Sequence, residues 1–556
     1  REWGPHEHRT PERHPRTGAR ALHRRARTAE TWPAGPGPAP RRAAVCGSSL
    51  TGALCHLILE DDDARRPRRT ARPRDTAVVT SRPEPIAVVG FGGRFADSPD
   101  APAFWRAVRS GRDRIGPLPE EVLDRDLYHR RTGVSLTHSY TELGAAVPVP
   151  DAPPDGLRIT PRRYEAMDAA QRIALAVAAE TLARHGRTDA LAGRPGVVAI
   201  GSNLSLTRER RLNAERAAGE LEAAVAELGA LAALSERARA RLLDRVRDRY
   251  RTLTGPLSVM DLDGCLASGT AALVAGEFRL DAVPVAVEAA CASSLAALDL
   301  ALGALRSGEA AFALAGGVEL ACNPRDMVLC SALGLLSHTR ITPFDAAADG
   351  FSPGDGCALF LLKRRSDAVR DGDTIYGLLR GIGGSNDARS LIAPDADGQV
   401  RAMRQAFGQV DFDPSAVDYL EAHGTGTRVG DRVEITATAE VYAKPGRPRP
   451  LVIGSAKSSF GHTFAAAGGA GLLRALLSLR ARTFPPNANL NAPAADLPLG
   501  EIPALLPTAP EPWPAEPGRP RRAGVSSFGT GGINYHLLIE EEEHADRDAH
   551  RDGDTG

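Results

Sequence analysis

Short apolar runs that end at glycine or polar residues recur along the chain, and each predicts a buried β-strand. The clearest early runs cover residues 86–90, 197–201 and 285–288. Short apolar runs between turn residues are typical of strands that are buried on both faces. Further runs of this kind occupy residues 312–314, 357–362, 375–379, 417–420, 451–453 and 536–539.

Segments with helical periodicity alternate with these runs. Residues 100–109 and 165–184 predict helices, and residues 293–305 predict another because four leucines recur there on one helical face. Strands that alternate with helices indicate an α/β layered fold. Residues 205–253 are dense in Arg, Glu and Ala, and they predict a charged helical insertion that departs from this core.

The two ends of the chain differ from this body. Residues 1–84 hold 17 Arg, no Lys and 10 acidic residues, a net charge of +7, and they are rich in Pro and Gly. Because they lack sustained periodicity, we predict a disordered basic extension there and a disordered charged tail at 541–556. The polar residues 366–374 are the predicted junction of two halves, at 85–370 and 371–540.

Composition limits the classes of function. The 556 residues are 42% hydrophobic and carry a formal net charge of zero, so charge gives no argument for nucleic acid as a partner. No apolar run approaches the 18 residues of a membrane span. The seven cysteines are scattered without a CxxC pair, which argues against a disulfide framework or a metal site and favours the cytoplasm.

Cys291 is the first candidate for chemistry. In the segment VAVEAACASSLAALDL a predicted strand ends just before Cys291, and a predicted apolar helix begins just after it. The free N–H groups and the dipole at a helix N-terminus favour a thiolate, and small neighbours permit a tight turn. Because buried cysteines are common and mostly inert, this segment alone favours a structural cysteine over a nucleophile.

Three further small-residue segments follow or adjoin predicted strands. EAHGTGT carries His423, SAKSSFGHT carries Lys457 and His462, and GVSSFGTGGIN at 524–534 is predicted to be a glycine-rich loop. Each histidine alone is more often structural, but sites in α/β sheets collect at strand ends. Together the four segments predict one site that contains a thiol, two imidazoles and an ammonium group.

In these motifs the chain resembles the β-ketoacyl synthases of polyketide and fatty acid assembly. The similar elements are ACASS at 290–294, HGTGT at 423–427, and the lysine, glycine and histidine at 457, 461 and 462. The resemblance extends from about residue 85 to about 540, through PIAVVGFGGRF, AMDAAQR and PFDAAADGF. It implies a thiolase-like α/β fold, in which two similar α/β halves form five αβαβα layers.

The resemblance also implies an acyltransferase activity: decarboxylative Claisen condensation of an acyl thioester with a malonyl-type extender. Cys291 would hold the acyl chain, with the N–H groups of Cys291 and Thr530 as its oxyanion site. His423 and His462 would bind the oxygen of the extender thioester and stabilise the enolate. Lys457 would orient a histidine loop.

Further residues bear on substrate binding. Thr425 and Thr427 are candidates for contacts with a pantetheine arm, although structural threonines are an equal alternative. Phe528 and Thr530 lie where the family has a gate of two aromatic residues, so the smaller Thr530 puts chain preference in question. Gly471 replaces a glutamate of discrete fatty acid synthases, which is similar to multidomain polyketide synthases.

The expected partners follow from the same resemblance. We expect a discrete synthase without a bound cofactor or metal, to which separate acyl carrier proteins bring substrates on phosphopantetheine. A homodimer is expected, and a heterodimer with a second ketosynthase-like subunit remains open. The product belongs to polyketide or polyketide-like fatty acid biosynthesis, and the sequence leaves chain length and extender open.

Two other functions stay open at this point. A thiolase shares the fold but uses a second cysteine near the C-terminus, whereas the last cysteine here is Cys357. A non-catalytic, chain-length-factor-like partner of a ketosynthase heterodimer would lack the nucleophile. The lack of a later cysteine disfavours the thiolase, and the presence of Cys291 disfavours the non-catalytic partner.

Overall fold

The structure, a computed structural model, describes residues 42–48, 54–60, 82–131, 133–203, 219–221, 223–225, 227–228, 234–254, 264–390 and 393–542. Two units are distinguished. In the first, an antiparallel hairpin joins β1 (Arg42–Ser48) to β2 (Leu54–Glu60). The sequence analysis did not predict this hairpin, and the disorder predicted for the rest of 1–81 and for 543–556 lies outside the described residues.

The second unit is built around one large sheet with small two-stranded sheets beside it. Its strands are, in chain order, β3 (Ile86–Phe95), β4 (Gly116–Pro117), β5 (Leu143–Gly144), β6 (Gly196–Gly201), β7 (Ala282–Val287), β8 (Phe312–Leu320), β9 (Asp355–Arg364), β10 (Gly377–Asn386), β11 (Tyr419–Glu421), β12 (Leu451–Gly454), β13 (Thr483–Phe484), β14 (Ala504–Leu505), β15 (Glu511–Pro512), β16 (Arg522–Gly529) and β17 (Ile533–Glu540).

The two halves of the large sheet have the same strand order. The N-terminal half runs β7-β6-β8-β9-β3 and the C-terminal half runs β12-β11-β16-β17-β10, so each is 3-2-4-5-1 when its own strands are counted along the chain. In both halves the first three strands in space are parallel and the last two pairings are antiparallel. A short pairing of β10 with β3 joins the halves.

Helices complete the layers. They are α1 (Ala101–Arg109), α2 (Arg125–Tyr128), α3 (Pro161–Ala166), α4 (Ala169–His185), α5 (Glu236–Thr254), α6 (Ala267–Glu277), α7 (Ser293–Ser307), α8 (Pro324–Ala332), α9 (Arg365–Asp371), α10 (Ala396–Phe407), α11 (Arg428–Tyr442), α12 (Lys457–Phe460) and α13 (Ala467–Ala481). α4 and α6 pack on the N-terminal strands, and α10 packs on β10 and β17.

The central layer consists of α7 and α13. They contact each other, and each also contacts strands from both halves of the sheet. Their small and apolar residues are buried, which lets two helices fit between two strand layers. The predicted fold of two similar halves in five layers is therefore confirmed.

The apolar character of this central layer has one side effect. Among the described residues, Phe464–Ala481 alone has the length and composition of a membrane-crossing helix, but 78% of that window is buried inside the protein. Such burial is expected of a core helix. It also holds Arg474, which is almost fully buried and ion-paired.

Two sequence predictions of secondary structure are wrong. The single helix predicted at 165–184 is two helices, because Asp168 begins α4 with a capping box in which its side chain accepts the N–H of Ala170 and Gln171 bonds back to the Asp168 N–H. The loop predicted at 524–534 begins as strand β16. Its serines and glycines show no apolar alternation because both faces of this strand are buried.

Candidate active site

A strained turn carries Cys291 between β7 and α7. Ala290 has a φ of +49°, a conformation that residues with a Cβ rarely adopt. The hydroxyl of Ser293 accepts the N–H of Ala289 at 2.8 Å and donates to the carbonyl of Ala290 at 2.6 Å. These bonds hold the turn, and the thiol lies at the N-terminal end of α7, as predicted.

Strand β16 closes on this turn from the C-terminal half. The Ser527 hydroxyl donates to the Cys291 carbonyl at 2.6 Å. A Cβ on Gly529 would lie only 2.7 Å from the Ala289 carbonyl oxygen, so the close approach requires glycine. The backbone N–H groups of Thr530 and of Cys291 itself adjoin the thiol and lower its pKa. The two predicted oxyanion donors therefore converge on one sulfur.

The protonation of Cys291 differs from the sequence expectation. Burial raises the pKa of its thiol to about 11, although the charge of Lys457 and the N–H groups of Thr530 and Cys291 lower it. Desolvation outweighs those groups, which favours a resting thiol over the expected thiolate. Burial raises the pKa of Cys330 to about 12 and also raises those of Cys322 and Cys357.

His423 follows β11, the strand that pairs with β16. Its Nδ1 accepts the N–H of Phe528 at 3.3 Å, and the ammonium group of Lys457 lies 3.5 Å from the same nitrogen. The ring of Phe528 packs 5.4 Å from the imidazole, centroid to centroid. Burial lowers the pKa of His423 well below its ordinary value, and Lys457 and His462 lower it further.

His462 lies beside His423 on the loop after α12. The two imidazole centroids are 5.5 Å apart and the rings are nearly perpendicular. The Nδ1 of His462 accepts the N–H of Phe464 at 3.2 Å, and the Phe464 ring stacks on the imidazole at 4.7 Å. Burial, followed by the charge of Lys457, lowers the pKa of His462 well below its ordinary value.

These contacts select one tautomer for both histidines. A neutral imidazole has one nitrogen that donates and one that accepts. Because the Nδ1 atoms of His423 and His462 accept backbone N–H groups, each proton resides on Nε2. The pair therefore offers two N–H donors and no positive charge, an arrangement suited to an oxygen that becomes negative during a reaction.

Lys457 connects the loops of the two histidines. It is almost fully buried at the start of α12, and its Nζ donates to the carbonyl of His423. Burial lowers the pKa of Lys457, whereas Glu434, Glu421, Cys291 and Asp431 raise it. The predicted orienting contact with a histidine loop is present.

Sequence reasoning missed two buried carboxylates that hold the His423 loop. Glu434 accepts the N–H groups of His423 and Gly424 at 2.7 and 2.8 Å, and Asp431 accepts the N–H of Gly426 at 3.1 Å. Burial raises the pKa of each to about 7. Their position in the first turns of α11, just after the glycine-rich loop, was the available signal.

A third missed carboxylate, Glu421, braces the loops from behind. It accepts the N–H of Ala456, the residue before Lys457, at 2.6 Å and pairs with Arg474 at 2.7 Å. A Cβ on Gly471 would lie 3.0 Å from the Glu421 Cγ. The glycine that replaces a family glutamate therefore leaves space for another acidic side chain.

The remaining predicted residues lie at the rim. Thr530 is exposed, and Thr425 and Thr427 are partly exposed with their hydroxyls 3.0 Å apart. Among the residues that the structure describes, no group of three or more His, Cys, Asp or Glu side chains is placed to hold a metal ion. The structure thus brings Cys291, Thr530, Phe528, His423, Lys457 and His462 together around β16.

Comparison with protein families gives two adjacent matches. Residues 83–368 match the family described as β-ketoacyl synthase, N-terminal domain. Residues 376–491 match β-ketoacyl synthase, C-terminal domain. The two matches together span most of the second structural unit.

Curated relatives are considerably longer proteins. A phenolphthiocerol/phthiocerol polyketide synthase of Mycobacterium tuberculosis is 35% identical over 471 residues, which cover 82% of this chain and 27% of the relative. A mycocerosic acid synthase-like polyketide synthase of the same organism is 33% identical over 491 residues, 87% of this chain and 21% of the relative. The chain therefore spans about a quarter of the length of these proteins.

Solved structures with the same fold are ketosynthase domains. The ketosynthase from module 6 of the bacillaene synthase of Bacillus subtilis 168 has a TM-score of 0.69 and 28% identity, covering 83% of this chain and 72% of that one. An oxazolomycin ketosynthase domain of Streptomyces albus JA3453 has a TM-score of 0.71 and 28% identity, covering 83% and 74%.

Proposed function

The chain belongs to the β-ketoacyl synthase family, of the polyketide synthase type, and we propose that it joins two carrier-bound acyl units by decarboxylative Claisen condensation. One observation carries this proposal. Cys291 with two N–H donors contacts β16 at Ser527, and two neutral imidazoles with Nε2–H donors lie side by side, one of them bonded to the β16 backbone at Phe528. Each pair of donors suits one of the two carbonyl oxygens in the reaction.

The first step is acyl transfer to Cys291. Its sulfur attacks the acyl thioester carbonyl, and the N–H groups of Cys291 and Thr530 bind the oxyanion. The C–S bond to the carrier breaks, a new C–S bond forms, and the Cys291 proton leaves with the departing pantetheine thiol. Because the resting group is a thiol, only the small thiolate fraction in equilibrium with it attacks at neutral pH.

The second step uses the histidines. The Nε2–H groups of His423 and His462 donate to the carbonyl oxygen of the malonyl-type thioester. Its C–C bond to the carboxylate breaks, CO₂ leaves, and the electron pair forms an enolate that the two donors stabilise. Since both imidazoles are neutral, they stabilise the enolate by hydrogen bonding and not by a full positive charge.

The third step joins the units. The enolate carbon attacks the Cys291 thioester carbonyl, whose oxygen again occupies the N–H pair. Collapse of this intermediate breaks the C–S bond to Cys291 and leaves a β-ketoacyl group on the extender carrier. The sulfur regains a proton, so the site returns to its starting state without an oxidant, metal or bound cofactor.

We further propose that acyl carrier proteins deliver both substrates on phosphopantetheine. The exposed Thr530, whose backbone N–H adjoins the thiol, and the partly exposed Thr425 and Thr427 on the His423 loop support this, because they offer hydroxyls that a pantetheine arm can reach from solvent. Phe528 lines the rim beside His423 as a gate residue. The small Thr530 leaves this gate wider than two aromatic residues would.

The proposal includes a homodimer formed through β7. This strand ends the N-terminal side of the large sheet, and Val283 on it is 54% exposed. Unpaired edge strands with exposed apolar side chains are templates for pairing with another strand. We expect light scattering to give twice the chain mass and Val283→Lys to shift the protein toward monomer; a monomeric unaltered chain contradicts a homodimer. A cytoplasmic location completes the proposal.

The test of the condensation uses the chain with separate carrier proteins. Incubation with an acyl-carrier thioester should add the acyl mass to the peptide that contains Cys291, and malonyl carrier should then yield a β-ketoacyl carrier. An unmodified chain without product contradicts the proposal and supports the non-catalytic partner role. Cleavage of a β-ketoacyl-CoA by free CoA, without carrier-dependent condensation, supports a thiolase.

A further inference from the structure

Alternate residues of β16 serve different parts of the site. Ser527 and Gly529 face the turn that carries Cys291, whereas Ser526 bonds to buried His536 at 2.9 Å and Phe528 packs on His423. Side chains on a strand alternate between its faces, so this division follows from the register of β16. The strand therefore contacts both the Cys291 turn and His423.

We propose that Ser527 is a positioning residue for acyl transfer, which sets the Cys291 N–H and the Thr530 N–H at the spacing that binds one oxygen. This inference rests on the proposed function and deepens it. Ser527 is fully buried, and its hydroxyl donates a hydrogen bond to the backbone carbonyl of Cys291, the proposed nucleophile, at 2.6 Å. It acts through Cys291 and Thr530 without touching the substrate.

The peptide planes around Cys291 show why such a bond matters. The N–H of Cys291 shares a planar peptide with the Ala290 carbonyl, which the Ser293 hydroxyl holds. The next peptide contains the Cys291 carbonyl, which the Ser527 hydroxyl holds. Two hydroxyls therefore constrain both peptides that flank the nucleophile, next to the strained φ of Ala290.

Of these two bonds, the one from Ser527 crosses from one half of the fold to the other. Ser293 belongs to α7 in the N-terminal half, the same half as Cys291, whereas Ser527 belongs to the strand that leads directly to Thr530. The distance between the two oxyanion donors depends on how closely β16 and the turn are held. Gly529, which admits no Cβ here, provides the space, and Ser527 provides the attachment.

The experiment compares two half-reactions in Ser527→Ala. Acylation of Cys291 by an acyl-pantetheine thioester is followed by intact mass, and CO₂ release from malonyl-pantetheine is followed separately. Losing a whole oxyanion donor slows catalysis about 100–1,000-fold, so we expect displaced donors to slow acylation about 10–100-fold. CO₂ release should stay within about threefold, because the Ser527 hydroxyl bonds to the Cys291 carbonyl and the imidazoles of His423 and His462 are held by other backbone N–H groups.

Ser478→Ala is the matched control. Ser478 is also fully buried and donates to a backbone carbonyl, that of Arg474, at 2.7 Å, but within its own helix. Both of its rates should match those of the unaltered chain. Equal rates for Ser527→Ala and the unaltered chain, or equal losses in both half-reactions, overturn the inference while the proposed function stands. An unaltered chain that never acylates overturns both.

Discussion

The two sides of the proposed site meet the same chemical demand with different groups. On the cysteine side, which comprises the Cys291 turn with Gly529 and Thr530, both proposed donors to an oxyanion are backbone N–H groups. On the histidine side, which comprises His423, Lys457 and His462, both donors are imidazole N–H groups. The donors on the cysteine side depend on how closely β16 and the Cys291 turn are held together. The donors on the histidine side depend on the tautomers of the two imidazoles.

This difference determines how each side is sensitive to change. No single substitution other than by proline deletes a backbone N–H, so the cysteine side otherwise fails through displacement or loss of the sulfur. The histidine side loses a donor whenever an imidazole is removed. The two half-reactions should therefore separate in suitable variants, although the sides share one strand.

The largest separation is expected from Cys291→Ala. Acylation should fall below detection and condensation by at least about 1,000-fold, because the sulfur that holds the acyl chain is lost. CO₂ release should persist within about tenfold, because the histidine side is intact. Intact mass and CO₂ assays measure both, with Cys265→Ser as the control that keeps both rates. Full condensation by Cys291→Ala contradicts the assignment of the nucleophile.

The opposite separation is expected from His462→Ala. Loss of one of two donors to the enolate oxygen should lower CO₂ release by about 100–1,000-fold. Acylation of Cys291 should stay within about tenfold, since its donors are the N–H groups of Cys291 and Thr530. Stopped reactions assayed by mass provide the acylation rate. If acylation falls as far as CO₂ release, the histidine serves both sides and the division is wrong.

A smaller effect is expected from Gly529→Ala. The added methyl would meet the Ala289 carbonyl at 2.7 Å and Ala290 Cβ at 3.2 Å, so β16 must move away from the turn. Acylation should fall about 10–100-fold, with a smaller change in CO₂ release. Gly303→Ala in α7 is the control, because nothing lies within 4 Å of its added Cβ. That control should keep both rates and gain up to about 1 kcal/mol in free energy of unfolding.

The smallest separation of the two half-reactions is expected from a change of pH. With the Cys291 pKa raised to about 11, the thiolate fraction and the acylation rate should rise about tenfold per pH unit between about pH 7 and 9. The histidines, whose pKa values lie well below the ordinary value, stay neutral, so CO₂ release should be flat there. Initial rates of acylation and of CO₂ release, corrected for hydrolysis of the thioester substrates, test both expectations. A plateau in acylation near neutral pH would indicate a resting thiolate.

Strands with pronounced apolar runs were predicted from the sequence, whereas strands without such runs were predicted too short or missed. The strand predicted at 312–314 extends to Leu320. Its end was missed because its alanines and glycines give no marked apolar pattern in the sequence, although they are buried. β16 was missed for the same reason: Ser526 and Ser527 are buried by hydrogen bonds that only the folded chain provides. Local composition does not record such tertiary partners.

The reactive side chains of the site were predicted from the sequence, whereas the residues that hold their loops in place were not. Cys291, His423, Lys457 and His462 stood out because each is a reactive type in a small-residue loop. Glu434 and Ser527 bond to backbone atoms of distant segments, which no local motif reveals. The thiolate expectation considered helix position, whereas burial has the largest effect on the Cys291 pKa.

The central claim is that the acyl oxygen belongs to the cysteine side alone. A crystal structure of the chain acylated on Cys291 tests it most directly. We predict the thioester oxygen about 2.7–3.1 Å from the N atoms of both Cys291 and Thr530, with the Nε2 atoms of His423 and His462 left for the extender. A thioester oxygen bonded to either imidazole, with the Thr530 N–H turned away, would contradict the account.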